Sequence, residues 1–396
     1  MPGSAAEIEA PLELADYLAA TAGQARWRPA GEGVYELRSQ VWRGIDWNHI
    51  LTVDDLGDPD TAVLILTGGE PNEADLAKQT ALARSTGLPV ATLFGLPNQP
   101  LFDLWEDDLV AHTYERFLDT GEPDWPLILP MARAGLAAMD VLGAISDGRL
   151  SRFVVTGMSK RGWAAWMLPA TGDQRLAGIC PMVIDNLNVR AQLAHQMETW
   201  GAYSEMIEPY TSRRLPERSE TPIGRRLSAI VDPFSYRGRF ASPVLIVNGA
   251  NDPYWQVDAL SLYWEQLPAP KWASLVPNAG HLLGDQVQAD EALCAFALSC
   301  AGRFELPRPE WRAGLMDGSW GFELETGGED LHSLSLWTAE SDSLDFRESV
   351  WNATRLDRLS CVATPRLRNL ASFVEMRYRR EGREFRLTTP AAIVRV

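Results

Sequence analysis

Apolar runs alternate with helix-like periods between residues 61 and 302, a pattern typical of an α/β fold with a mostly parallel sheet. The runs are continuous, as in strands that helices cover on both faces. Strands are predicted at Ala62–Leu66, Leu88–Phe94, Phe153–Gly157, Ala177–Ile184, Pro243–Asn248 and Trp272–Val276. Helical spacing predicts helices at Met131–Ile145, Val257–Leu267 and Val287–Cys300. We therefore predict one sheet domain over residues 61–304, preceded by a segment, residues 1–60, that leads into the sheet.

Two other stretches depart from this pattern. The interval 186–242 between predicted strands is polar and too long for a plain connection, so we interpret it as a largely helical cap inserted into the sheet domain. Residues 305–396 contain short alternating stretches, and Glu381-Gly382 predicts a hairpin turn between two of them. The alternating stretches are Leu334–Trp337, Phe373–Arg379 and Glu384–Thr388. This last part of the chain is predicted to form a small antiparallel β-sandwich.

Composition narrows the classes of partner. The 396 residues carry a formal net charge of −17, which argues against nucleic-acid binding and against docking on an anionic membrane. We find no run of 18 apolar residues, so no membrane span is predicted. The first residues lack a basic and an apolar segment, so we expect a cytoplasmic protein, or an exported one whose leader was removed.

The cysteines do not indicate a metal site or a disulfide framework. Cys294 and Cys300 lie in an apolar helical stretch, while Cys180 and Cys361 are far away in the sequence. We interpret all four as buried free thiols, and we expect neither a metal nor a cofactor.

The sharpest local signal is an apolar strand that runs through Gly157-Met158-Ser159 into a helix. Such a tight strand-to-helix turn lifts one hydroxyl clear of the sheet, as in the nucleophile elbow of α/β-hydrolases. The usual second glycine is one residue late here, because Arg161 takes its position and Gly162 follows. Ser159 is therefore a candidate nucleophile.

Residue order supports this interpretation. Asp252 follows one predicted strand and His281 follows the next, which completes the chain order Ser, Asp, His. Ligand sites in open α/β sheets lie at these strand ends. His281 would be the general base and Asp252 would orient it, which we favour over a rival acid, Asp185, at the end of the preceding strand.

An acyl-transfer site also needs donors for the oxyanion. The backbone N–H of Lys160 is one candidate, and the loop after Leu66 offers a second from Gly69 or Glu70, between which the sequence does not decide. The side chains of Lys160 and Arg161 would stabilise the oxyanion or bind a substrate carboxylate; alternatively, they pair with acidic residues of the cap. Trp163, Tyr254 and Trp255 are predicted to line the site.

Taken together, the motifs resemble those of the PhoPQ-activated pathogenicity-related protein family. The matching stretches are Leu96–Pro100, Glu106–Ala111, Trp125–Met131, Thr156–Trp163, Pro181–Asp185, Trp200–Ser204, Asn248–Trp255, Pro277–His281, Leu336–Ala339, Asp345–Arg347 and Trp351. The resemblance implies an α/β-hydrolase domain with a small β-sandwich and with Ser159, Asp252 and His281 at the catalytic positions. It implies little about the substrate, and many members are exported. The elbow is also similar to that of glucuronoyl esterases, which suggests by analogy an ester with a nearby carboxylate.

We therefore expect a cofactor-independent serine hydrolase that acts on a small-molecule ester through an acyl-enzyme. A peptidase with the same three residues is one alternative. A hydrolase-shaped binding or signalling protein without turnover is another, since the elbow is atypical and the C-terminal domain suits binding. The sequence does not indicate the oligomeric state.

Overall fold

The protein is described by a computed structural model, which covers residues 10–268, 270–316, 319–328, 330–357, 359–362 and 368–395. Within these residues the chain forms a large mixed sheet, a small antiparallel sheet and helices on both faces of the large sheet. The predicted fold class is confirmed, and the sheet order explains where the candidate residues meet.

The N-terminal segment contributes one helix and three antiparallel strands to the large sheet. They are α1 (Glu13–Ala20), β1 (Arg26–Gly31), β2 (Val34–Trp42) and β3 (Ile45–Val53). β3 pairs with the first parallel strands through Val53 and Ala91. The segment therefore extends the sheet, which is more than the lead-in that the sequence predicts.

The centre of the sheet consists of six strands, and each of the six predicted strands is confirmed. They are β4 (Thr61–Leu66), β5 (Val90–Leu93), β6 (Arg152–Met158), β7 (Leu176–Met182), β8 (Val244–Gly249) and β9 (Lys271–Val276). Their spatial order is β5-β4-β6-β7-β8-β9, all parallel. Every residue of β7 and β8 is buried, as expected for strands covered on both faces. The carboxyl ends of β6, β8 and β9 consequently lie along one edge.

Helices cover this sheet and fill two hydrophobic cores. They are α2 (Glu73–Thr86), α3 (Glu106–Thr120), α4 (Ile128–Ile145) and α5 (Lys160–Met167). Side chains of α3, α4 and α5 join one core, and Leu82 of α2 joins the other. The 18 residues of α4 are apolar enough to cross a membrane, but 78% of that stretch is buried inside the protein. This is typical of a core helix, and no membrane span is indicated in the described residues.

The interval between β7 and β8 is largely helical, as predicted for the cap. It contains α6 (Val189–Trp200), α7 (Glu208–Thr211), α8 (Leu215–Arg218) and α9 (Pro222–Val231). The helix predicted at Val257–Leu267 is wrong, because two short 3₁₀ turns, Ala259–Leu262 and Trp264–Gln266, take its place. Tyr263 between them has a φ of −146°, which is outside the helical range, and its hydroxyl donates to Asp185.

The C-terminal part follows α10 (Val287–Cys300), whose predicted bounds are confirmed. Its strands are β10 (Glu310–Met316), β11 (Ser319–Glu325), β12 (Leu331–Ser341), β13 (Asn352–Leu356), β14 (Ser360–Val362), β15 (Asn369–Arg380), β16 (Arg383–Thr388) and β17 (Ala392–Val394). β10, β11 and β14 form the small sheet, and the other strands extend the large one. Glu381 and Gly382 both have positive φ, which confirms the predicted hairpin turn.

The two sheets of this C-terminal part share a hydrophobic core, as in the predicted sandwich. Phe322 of β11 and Met376 of β15 both belong to it. Thr388 of β16 pairs with Ala273 of β9, so the large sheet continues across the boundary predicted at residue 304. The division of the chain into domains stays a prediction.

Candidate active site

Ser159 occupies a sharp turn between β6 and α5. Its φ of 55° and ψ of −126° are uncommon for a residue with a side chain, and such a conformation costs about 1–3 kcal/mol. The Ser159 N–H donates to the Met182 carbonyl at 2.9 Å, and the Ser159 carbonyl accepts from Trp163 N–H at 2.9 Å. The turn is therefore fixed to the neighbouring strand on one side and to the first turn of α5 on the other.

Two glycines make this turn possible, and they explain the unusual spacing of the motif. A Cβ on Gly157 would lie 2.8 Å from the backbone carbon of Arg161. A Cβ on Gly162 would lie 2.7 Å from Ile184 Cγ2 and 2.8 Å from the Gly157 carbonyl oxygen. The position that tolerates no side chain is thus Gly162, one residue later than in the usual motif.

Replacing Gly162 with alanine is expected to lower the free energy of unfolding by about 1–3 kcal/mol, because backbone and a packed side chain must move to admit the methyl group. Urea denaturation measures the loss. Gly238 provides the matched control, because a Cβ there meets nothing within 4 Å. An equal, small effect of Gly162→Ala and Gly238→Ala would contradict the packing explanation.

His281 and Asp252 lie side by side at the ends of the adjacent strands β9 and β8. His281 Nδ1 is 2.9 Å from Asp252 Oδ2, and the other carboxylate oxygen accepts from Tyr254 N–H at 2.9 Å. Asp252 is nearly buried. The contact suits the tautomer that donates Nδ1–H to this carboxylate, in which Nε2 carries the free lone pair that a general base requires.

Ser159 and His281 line the same cavity, which has a volume of about 110 Å³. The Ser159 hydroxyl makes no hydrogen bond to His281 or to any other described residue. Hydrogen bonds between catalytic groups are commonly long in ligand-free sites and shorten when substrate binds. The structure therefore brings the two side chains to one cavity without a direct bond between them.

Asp185, the rival acid, has other partners. It is buried behind the site, where it accepts hydrogen bonds from the Tyr263 hydroxyl and from Asn248 Nδ2, the latter at 2.9 Å. Burial raises the pKa of Asp185 to about 7. The structure thus places Asp252, and not Asp185, against the imidazole.

The two cations after Ser159 are paired with acidic residues of α3, and not with residues of the cap as the alternative interpretation expects. Arg161 donates to both oxygens of Glu106, at 2.7 and 2.6 Å, and also to the Leu96 carbonyl. Lys160 Nζ lies 3.0 Å from Asp107 Oδ2 and 3.1 Å from Glu106 Oε2. Burial alone would raise the pKa of Glu106, but the hydrogen bonds and charge of Arg161 outweigh it and lower that pKa to about 2.

The predicted oxyanion donors are only partly brought together. The Lys160 N–H belongs to the first residue of α5 and directly follows Ser159. Leu66 pairs with Gly157, so the loop that follows Leu66 begins beside the elbow. Gly69 and Glu70, however, line a second cavity with residues of β1–β3 and not the one that contains Ser159.

Aromatic side chains surround the serine, including three of the four predicted substrate-binding residues. Trp163, Tyr254 and Trp255 line the cavity with Ser159, whereas Arg161 does not. The Tyr254 ring packs against the His281 imidazole at a centroid distance of 4.3 Å and an interplanar angle of 31°. Trp163 Nε1 donates to the Val231 carbonyl at 2.8 Å, and this hydrogen bond connects the helix after Ser159 to the cap.

Sequence reasoning missed the residue that connects these groups, Asp107. Its carboxylate accepts from the hydroxyls of Tyr210 at 3.0 Å and Tyr254 at 3.2 Å, in addition to Lys160. Burial and the nearby Asp107 raise the pKa of Tyr254, so its hydroxyl stays protonated and donates. The run Glu106-Asp107-Asp108 at the start of α3 was the available signal. It was a weak one, because acidic residues are common in the first turn of a helix and need no functional site to explain them.

No group of three His, Cys, Asp or Glu that could hold a metal ion occurs in the described part of the chain. Cys180, Cys294 and Cys300 are free thiols, and the Cys361 side chain lies outside the described residues. Burial raises the pKa of Cys294 to about 11 and that of Cys300 to about 12, so neither is poised as a nucleophile.

Comparisons with known proteins agree with this architecture. A family model described as PhoPQ-activated pathogenicity-related protein matches residues 20–347. Autocrine proliferation repressor protein A from Dictyostelium discoideum is 30% identical over an alignment of 344 residues, which covers 80% of this chain and 69% of that protein. Acetyl xylan esterase 1 from Thermoanaerobacterium sp. JW/SL YS485 has a TM-score of 0.50 at 14% identity, over 74% of this chain and 94% of the esterase. This likeness shows that the chain has an α/β-hydrolase fold.

Proposed function

Because the chain belongs to the PhoPQ-activated pathogenicity-related protein family and has an α/β-hydrolase fold, we propose that it is a serine hydrolase of carboxylic esters. One observation carries the proposal. The imidazole of His281, held at 2.9 Å by Asp252, lines the same cavity as Ser159 in its strained turn. A strained serine conformation at such a place is a feature of functional sites.

The chemistry follows from proton affinities. A serine hydroxyl is a weak nucleophile until a base takes its proton, and His281 is the base in reach of the cavity. Attack on the ester carbonyl forms a tetrahedral intermediate, after which the imidazolium gives its proton to the leaving alcohol. Water then attacks the acyl-enzyme with the same base, and Ser159 is regenerated. Asp252 fixes the imidazole tautomer and stabilises the imidazolium.

The negative charge of the intermediate requires hydrogen-bond donors. The Lys160 N–H is one donor in this proposal, because the first N–H groups of a helix have no partner within it and carry partial positive charge. The second donor is assigned to the loop after Leu66, at Gly69 or Glu70. A movement of that loop toward the substrate is part of the proposal, since both residues line a neighbouring cavity in the structure.

Labelling by a fluorophosphonate probe tests this function. Wild-type protein is expected to react, because the probe phosphonylates an activated serine, whereas Ser159→Ala is expected to lose the label entirely. Ser235→Ala is the matched control, since Ser235 lies in the cap outside this cavity. Equal labelling of wild type and Ser159→Ala, or no labelling of folded wild type, would overturn the proposal. Turnover of p-nitrophenyl esters but not of aminoacyl anilides would separate an esterase from a peptidase.

A binding protein without turnover is the second candidate. The relative from Dictyostelium discoideum is named for repressing proliferation, and the Ser159 hydroxyl makes no hydrogen bond to His281 in the described structure. If this candidate is correct, folded wild type stays unlabelled, and Ser159→Ala and His281→Ala both leave the biological activity intact.

A further inference from the structure

The cap contributes many of the residues that line the cavity beside Ser159, and the walls of this cavity are mostly apolar. Aromatic and aliphatic side chains of α3, α5 and the cap contribute to them: Tyr114, Leu118, Trp163, Leu215, Leu227 and Val231. The cap side chains are also members of the larger hydrophobic core. A substrate group that enters this space therefore leaves water and contacts hydrocarbon.

The charged groups at the cavity are already neutralised by one another. Lys160 and Asp107 line the cavity along with His281, and their side chains are 8% and 16% exposed. The ammonium of Lys160 lies between Asp107 and Glu106, at 3.0 and 3.1 Å. His281 faces Asp252. Among the described residues that line this cavity, no cation is without a carboxylate partner.

Asp107 accepts hydrogen bonds from donors on three elements. Lys160 of the elbow, Tyr210 of the cap and Tyr254 of the loop after β8 all donate to it, at 3.0, 3.0 and 3.2 Å. Arg161 is the other side chain that could bind a substrate anion. It does not line the cavity, and its guanidinium donates to both carboxylate oxygens of Glu106. Drawing Lys160 away toward a substrate anion would remove the cation that faces Asp107, whose side chain is only 16% exposed, and the loss of such a partner is disfavoured.

We infer that the cavity takes the uncharged, apolar acyl group of a short-chain ester and excludes acyl groups that carry a carboxylate. This inference rests on the proposed function and differs from the carboxylate-bearing ester that the similarity to glucuronoyl esterases suggests. The cavity volume of about 110 Å³ limits the length of the acyl group. For comparison, a cavity of about 150 Å³ holds one benzene molecule, which has six carbons. Acyl chains of about four or five carbons fit such a space.

A pair of esters matched in length tests the inference on the wild-type protein. We expect kcat/KM for p-nitrophenyl pentanoate to exceed that for p-nitrophenyl hemisuccinate by at least about 100-fold, because the carboxylate of the second enters without a partner. Turnover of both esters with similar kcat/KM would overturn the inference and leave the proposed hydrolase function standing.

Asp107→Asn tests the charge argument directly. Without that carboxylate, Lys160 and Arg161 share only Glu106, so the preference for pentanoate is expected to shrink by at least about 10-fold. Asp108→Asn is the matched control, because Asp108 is the next residue of α3 and its carboxylate pairs with Arg213 at 3.1 Å instead. If the Asp107→Asn variant prefers the pentanoate ester over the hemisuccinate ester as strongly as the control does, the proposed role of Asp107 is wrong. If Asp107→Asn fails to fold, the wild-type comparison decides.

Binding to Ser159→Ala separates this inference from the proposed function. Trp163 and Trp255 line the cavity, so tryptophan fluorescence reports ligand binding without turnover. We expect methyl pentanoate to bind at least about 30-fold more tightly than monomethyl succinate. If Ser159→Ala shows this preference and the wild-type protein has no esterase activity, the inference stands while the proposed function fails. Equal binding of the two esters would overturn the inference.

Discussion

Replacing His281 with alanine is expected to lower kcat for p-nitrophenyl pentanoate by about 10⁴-fold or more, because the Ser159 hydroxyl then has no base to accept its proton. KM is expected to change much less, since the apolar walls that bind the acyl group stay in place. Steady-state kinetics and fluorophosphonate labelling of the variant measure the loss.

His195 provides a matched control for this substitution. It also pairs with a carboxylate, since its Nε2 lies 2.9 Å from Asp258 Oδ1, but it is not among the residues that line the Ser159 cavity. His195→Ala is expected to keep kcat within about threefold of wild type. If kcat falls equally in His281→Ala and His195→Ala, the loss reflects the structural effect of removing any His–Asp pair. The catalytic role of His281 would then be wrong.

The control variant His195→Ala is also expected to change the pH dependence of the protein's stability. Burial lowers the pKa of His195, but its hydrogen bond and attraction to Asp258 outweigh this, so the pKa is raised overall. A raised histidine pKa means that the pair stabilises the fold fully below about pH 6.5 and loses this effect as the pH rises through the raised pKa. His195→Ala is therefore expected to be destabilised more at pH 5.5 than at pH 9 in urea denaturation.

The central sheet and the meeting of His281 with Asp252 were predictable from the sequence because both depend on local patterns. Continuous apolar runs mark buried strands, and residues that directly follow two adjacent parallel strands must lie at the same edge of the sheet. In the structure His281 Nδ1 and Asp252 Oδ2 lie 2.9 Å apart. Their catalytic roles stay predictions, because a geometry does not by itself establish a reaction.

The environment of Lys160 and Arg161 was not predictable, since it depends on packing between distant segments. Glu106 and Asp107 precede Ser159 by about fifty residues, and only the docking of α3 against the elbow brings them to the two cations. The register of β16 on β9 is a similar case. One pair, Thr388 with Ala273, links segments far apart in the chain, and no local pattern in either strand indicates it.

Asp252→Asn is expected to lower kcat by about 10⁴-fold while leaving the fold intact. The amide is isosteric with the carboxylate, but it carries no charge to stabilise the imidazolium, and it favours the wrong tautomer of His281. Kinetics with p-nitrophenyl pentanoate measure the loss, and circular dichroism checks the fold.

Asp185→Asn is the matched control, because Asp185 is buried at the end of the neighbouring strand and bonds to Tyr263 and Asn248 instead of His281. Its kcat is expected to stay within about tenfold of wild type. Burial raises the pKa of Asp185 to about 7, so in wild type this group stabilises the fold fully below its unfolded pKa of about 3.9 and loses that effect as the pH rises through 7. The asparagine variant is accordingly expected to gain stability relative to wild type between pH 5 and pH 8. If Asp185→Asn instead loses activity as severely as Asp252→Asn, the assignment of Asp252, and not Asp185, as the acid that supports His281 is wrong.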